Sequence, residues 1–98
     1  MNIKMTRSSG NVFKDLGFER EEAENLRVRA ELMSEIEKYI RRKGMTQAEA
    51  AKKLGVTQPR ISDLMRGKID VFSVDTLIAM LAQIGLMVRL RIAKAKAA

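Results

Sequence analysis

Between residues 44 and 85 the chain is cut by four glycines, Gly44, Gly55, Gly67 and Gly85, and each of the three pieces between them holds a hydroxyl residue, Thr46, Thr57 or Ser73, placed to cap a helix. Glycine takes the left-handed conformation that stops a helix, and a Ser or Thr hydroxyl accepts from the free N–H groups at a helix start. Each piece therefore reads as a short helix with its own beginning and end. Thr46-Gln47-Ala48-Glu49 has the spacing of a capping box, the hydroxyl accepting from residue 49 while Glu49 reaches back. That helix runs to Leu54. The next opens at Thr57, carries Pro59 in its first turn, where proline is tolerated, and ends near Arg66. The third follows Ser73 and offers Val74, Leu77, Ile78, Leu81 and Ile84 as its apolar face.

Upstream, Ala23, Leu26, Ala30, Met33, Ile36 and Ile40 recur at three- and four-residue intervals from about Arg20 to Lys43, marking one face of a longer helix. Glu19, Glu21, Glu22 and Glu24 crowd its start, and Arg41, Arg42 and Lys43 its end, both favourable to the helix dipole. Before it, Val12, Phe13, Leu16 and Phe18 form a small apolar cluster around Gly17 that packs on this core or meets a partner. Residues 1–11 are polar and read as a flexible arm.

After Gly85 the period changes from helical to two. Leu86, Val88, Leu90 and Ile92 alternate with Met87, Arg89 and Arg91, the rhythm of a β-strand, and residues 94–98 form a basic tail. A lone strand leaves its backbone groups unpaired, and the same strand of a second copy would satisfy them. The expectation is an all-α domain of five helices over residues 12–93, with a C-terminal strand that pairs across a homodimer. Arg89 and Arg91 then read as the solvated face of that strand.

Composition narrows the chemistry. The 98 residues include no cysteine and no histidine, which removes disulfides, thiolate nucleophiles, imidazole bases and nearly every transition-metal site. No enzyme, metal site or cofactor is expected. Aromatic residues are 4% against 46% hydrophobic, so the core is aliphatic and helix-compatible. Nothing approaches a membrane span or a signal peptide, which places the protein in the cytoplasm. Lys and Arg number 19 against 12 Asp and Glu, a net charge of +7 that suits a polyanion. Residues 46–98 hold most of the excess.

The stretch 46–67 carries the chemistry. Two short helices that cross steeply need a small residue at closest approach, Ala51, a residue free to turn, Gly55, and apolar plugs at Leu54, Val56, Ile61 and Leu64. With those filled, Gln58, Pro59, Arg60, Ser62 and Asp63 are left on the other face of the second helix, where side chains of this kind can enter a DNA major groove. Asp63 has two uses open to it: accepting from a cytosine amino group, or pairing with Arg60 or Arg66. Met33, Met45, Met65 and Met80 fall where a core would use them.

The segment resembles the helix-turn-helix of the XRE, or Cro/lambda-repressor-like, family in its Thr-Gln start, Ala51, Gly55, Ile61-Ser62 and Gly67, and the likeness extends over roughly residues 30–85 with the flanking helices. The resemblance implies that Gln47 contacts a phosphate and that Thr57, Gln58, Pro59, Arg60 and Asp63 lie at or near the DNA. Arg66 and Lys68 suit further phosphates. Pro59 departs from the family pattern by offering only apolar surface, and Asp63 by being acidic. The longer pattern of residues 10–18, 58–64 and 72–75 is similar to a subgroup of small XRE proteins identified as HigA-like antitoxins, which implies a small basic toxin as a second partner.

The expected function is a sequence-specific DNA-binding regulator. It would act as a homodimeric repressor whose recognition helices meet half-sites about 34 Å apart on a near-palindromic operator. Three forms stay open: an autoregulating antitoxin, a free-standing repressor, and, from another class, a helical protein–protein adaptor that ignores DNA.

Overall fold

The computed structural model describes residues 11–95, and they form an all-helical domain. Five α-helices run in order: α1 Val12–Asp15, α2 Arg20–Lys43, α3 Gln47–Leu54, α4 Gln58–Met65 and α5 Val74–Gln83, with one 3-10 turn, Ile69–Val71, between the last two. The expected arm lies outside the described residues except for Asn11, which is anchored. Its side-chain oxygen caps α1 at the Phe13 and Lys14 amides, and its amide donates to the Ala23 carbonyl of α2 at 3.2 Å.

Hydroxyl caps open α3, α4 and α5, and left-handed glycines close α2 and α3. Thr46 and Glu49 close the capping box on α3, with Thr46 N–H donating to the Glu49 carboxylate at 2.9 Å and Glu49 N–H to the Thr46 hydroxyl at 3.1 Å. Thr57 and Ser73 cap α4 and α5 through the amides of Arg60 and Thr76. Gly44 and Gly55 end α2 and α3 in the left-handed region, with φ of 63° and 73°. Along the exposed side of α2, ion pairs from Arg27 to Glu24 and Glu31, from Lys38 to Glu35 and from Arg41 to Glu37 add the small local support of three- and four-residue spacing.

The core is built on α2, a helix about 36 Å long at 1.5 Å per residue. Met33, Ile36 and Ile40 meet Ala50, Ala51 and Leu54 of α3, Ile61 and Leu64 of α4, and Leu77, Met80 and Leu81 of α5. Leu32 and Phe72 complete it, neither of them in the expected face. Phe72 is only 1% exposed although it lies on a connection, because the 3-10 turn before it packs on α2 and brings it into the core cluster. Val56, Met45 and Met65 pack at the margin. Ala23 and Leu26 are buried apart from this cluster, at the end of α2 on which α1 packs.

Two expectations are corrected. Ile78 was assigned to the apolar face of α5, yet it stands 43% exposed, because the buried stripe of that helix runs through Leu77, Met80 and Leu81. The strand expected at Leu86, Val88, Leu90 and Ile92 is not formed in the single chain, where residues 86–95 are neither helix nor strand. A ladder needs a second strand, and no described segment lies alongside to supply one. Val88 packs on the core, whereas Leu90 and Ile92 are 81% and 91% exposed. Dimer pairing through this segment therefore stands as a proposal.

Candidate nucleic-acid interface

Helix α4 owes its exposure to how its eight residues divide. Ile61 and Leu64 are 0% and 1% exposed and fix the helix to α3 and the core. Three residues of its first turn, Gln58, Pro59 and Arg60, face solvent, and Ser62 and Asp63 are half-buried on its flank. Proline fits this start because the first-turn N–H groups have no partner within the helix. Thr57 uses its hydroxyl to accept from Arg60 N–H at 3.4 Å, so it shapes the helix start from below.

The sequence-predicted site residues fall into two groups. Gln47, Gln58, Ser62 and Lys68 have no side-chain hydrogen bond or ion pair within the described residues. Their polar groups are free for another molecule. Gln47 sits exposed at the first turn of α3, where a helix N-terminus favours an anion such as a phosphate oxygen. The second group is engaged within the chain. Asp63 accepts from Arg66 at 3.1 Å, which is the ion pair among the two uses open to it. Arg60 folds back, donating from Nη1 to the Val71 carbonyl at 3.2 Å and laying its guanidinium 5.8 Å from the centre of the Phe72 ring.

The turn joining α3 and α4 sets the relation of the two helices. Gly55 holds φ at 73°, which strains any L side chain, and a Cβ there would reach contact distance, 3.4 Å, of the Gln83 side chain of α5. Two short helices are thus locked by a glycine turn on one side and buried Ala50 and Ala51 on the other.

Residues 12–93 match the family of the helix-turn-helix domain. A solved chain assigned to the XRE family of transcriptional regulators superposes with a TM-score of 0.70 at 32% identity, covering 79% of this chain and 90% of that one. The chain belongs to the XRE helix-turn-helix family. No curated protein matches it. The XRE fold here brings Gln47, Gln58 and Lys68 to the surface on successive elements, α3, α4 and the connection after α4.

One residue of consequence in this XRE chain escaped the sequence reading. Arg29 of α2 donates from Nη1 to the carbonyls of Ile69 and Phe72 at 3.2 and 3.3 Å and from Nε to Asn25 at 2.7 Å. Its carbonyl partners lie forty and more residues away, and no local spacing announces such bonds. Among the described residues no group of acidic side chains could hold a metal ion, and no helix is long and apolar enough to cross a membrane.

Proposed function

We propose that this chain is a sequence-specific DNA-binding regulator of transcription that represses as a homodimer in the cytoplasm. The observation that carries the reading is the division of α4, with its Ile61 and Leu64 face sunk in the core and its Gln58-Pro59-Arg60 end presented to solvent. Membership of the helix-turn-helix family supports it, as does the likeness to an assigned XRE transcriptional regulator. In this reading Gln47, Arg66 and Lys68 take phosphates and set the register, and the polar face of α4, from Thr57 through Gln58, Pro59, Arg60, Ser62 and Asp63, faces base edges. Gln58 can bond an adenine edge through its amide, and Pro59 can rest on a thymine methyl.

Two copies pair through Leu86, Val88, Leu90 and Ile92, and the exposure of Leu90 and Ile92 supports that assignment. The autoregulating antitoxin is the narrower form of the proposal. It draws support from the pattern of residues 10–18, 58–64 and 72–75 and from α1, where Leu16 stands 69% exposed at the end of the domain remote from the core cluster and free to meet a small basic toxin.

Footprinting on the DNA upstream of the chain's own reading frame tests the function. Protection of a near-palindromic site is expected, and Gln58→Ala should lose about 1–3 kcal/mol at one base position in each half-site. A protein that fails to retard this DNA at low salt would be an adaptor rather than a repressor.

A further inference from the structure

The connection after α4 is held from two sides by arginines. From α2, Arg29 reaches the Ile69 and Phe72 carbonyls, its guanidinium oriented by Asn25. From the first turn of α4, Arg60 reaches the Val71 carbonyl and covers the Phe72 ring. Three carbonyls within four residues thus accept from two guanidinium groups. An open groove lined by Asn25, Arg29, Asp70 and Phe72 lies between α2 and this connection. Arg29 spans it. The backbone bonds within the connection are few: Lys68 N–H to Asp63, Ile69 N–H to Gly67, Val71 N–H to Lys68 and Phe72 N–H to Ile69. The 3-10 turn itself is only three residues long.

We propose that Arg29 and Arg60 are positioning residues for DNA binding, which together fix the connection that carries Lys68, and that Arg60 in this role reads no base. The proposal rests on the function inferred above and changes it at one residue, taking Arg60 out of the base-facing set. Lys68 is exposed, unpartnered and placed immediately after the glycine that ends α4. Its ammonium can meet a phosphate reproducibly only if the backbone beneath it is fixed, since its own stem is flexible. The Arg60 guanidinium would have to leave both Val71 and Phe72 to reach a base. A planar fork suits carbonyl pairs and aromatic faces in a way that an ammonium does not, so Lys at either position keeps the charge and loses the brace.

The test is a salt titration of binding to the footprinted DNA by wild type, Arg29→Lys, Lys68→Ala and the double variant, alongside base-preference profiles for wild type and Arg60→Ala. Arg29→Lys is expected to lower the slope of log affinity against log salt by about one, as Lys68→Ala does, with no further loss in the double variant. Arg60→Ala is expected to weaken all sequences by the same factor. Amide exchange of Val71 and Phe72, measured without DNA, should quicken in Arg29→Lys while that of Leu77 and Leu81 stays unchanged. A wild-type slope in Arg29→Lys, unchanged exchange at Val71 and Phe72, or relaxed preference at one base pair in Arg60→Ala each overturns the proposal. Absence of DNA binding by the wild type would overturn the functional reading itself, and this inference with it.

Discussion

Asp63 and Arg66 face each other across the last turn of α4 at 3.1 Å, and the carboxylate is the more sheltered partner, with its side chain 23% exposed against 60% for the arginine. An acidic side chain on a helix that meets DNA would repel phosphates if left alone. Paired, it instead holds Arg66 to the helix and offsets part of the charge that Arg66 brings to a phosphate.

Asp63→Asn should therefore leave Arg66 its full charge for the phosphate it meets. Binding to random-sequence DNA is expected to tighten and its salt slope to steepen by about one, while the domain loses no more than about 1 kcal/mol of stability. A slope unchanged in the variant would mean that Arg66 meets no phosphate once released. If discrimination between operator and random DNA collapses far beyond the gain in nonspecific binding, Asp63 reads a base after all.

The helix-turn-helix itself was legible because its signals are local. Caps at Thr46, Thr57 and Ser73, stops at Gly44 and Gly55, and plugs at Ile61 and Leu64 each act over one turn of chain, and all lie where the spacing places them. Phe72, Arg29 and the inward turn of Arg60 were not legible, since each depends on which distant segment the connection packs against. Leu32 lies one residue from Met33 of the predicted stripe, and it is buried because α2 is covered by elements on more than one side. The strand at 86–92 shows the converse. Its period of two is plain in the sequence, but pairing is a property of two segments, and the single described chain holds one.

Gly55 offers a test of the turn. With φ at 73° any L side chain is strained by about 1–2 kcal/mol, and the new Cβ would sit 3.4 Å from Gln83. Gly55→Ala is expected to lower the unfolding free energy by about that amount, as measured by urea denaturation. The companion Gly55→Ala/Gln83→Ala removes the contact but leaves the backbone strain, so it should recover only a small part. Full recovery in the double variant would assign the cost to crowding instead.

Acid should weaken the Arg27–Glu24 ion pair of α2. The bonded Arg27 guanidinium holds the Glu24 carboxyl below its usual range, while the carboxylate raises Arg27 in turn. For a group whose folded value is lowered, the stabilisation is complete above its unfolded value and disappears as pH falls through the folded one. Both side chains are well exposed, so the contribution is a few tenths of a kcal/mol. Glu24→Gln is expected to lower the urea midpoint slightly at neutral pH, and the gap from wild type should close as pH falls below the ordinary carboxylate range and through the lowered Glu24 value. A gap that persists at the acid end would trace to helix propensity rather than to the ion pair.

In the proposed dimer, the C-terminal segment decides between one copy and two. Leu90 and Ile92 bury almost nothing in the single chain, so replacing them leaves the core intact, whereas Val88 packs on it and is a poor choice for the purpose. Leu90→Asp/Ile92→Asp should unfold at the wild-type midpoint when measured at a concentration where wild type is monomeric. At higher concentration the wild type is expected to sediment as a dimer and the variant as a monomer, with midpoint rising with concentration only for the wild type. Operator affinity should then fall far more than half-site affinity, because two recognition helices held about one DNA turn apart bind as a unit and a lone domain does not. If the double variant remains dimeric, the interface lies elsewhere, and the exposed leucine and isoleucine would have to serve a different partner.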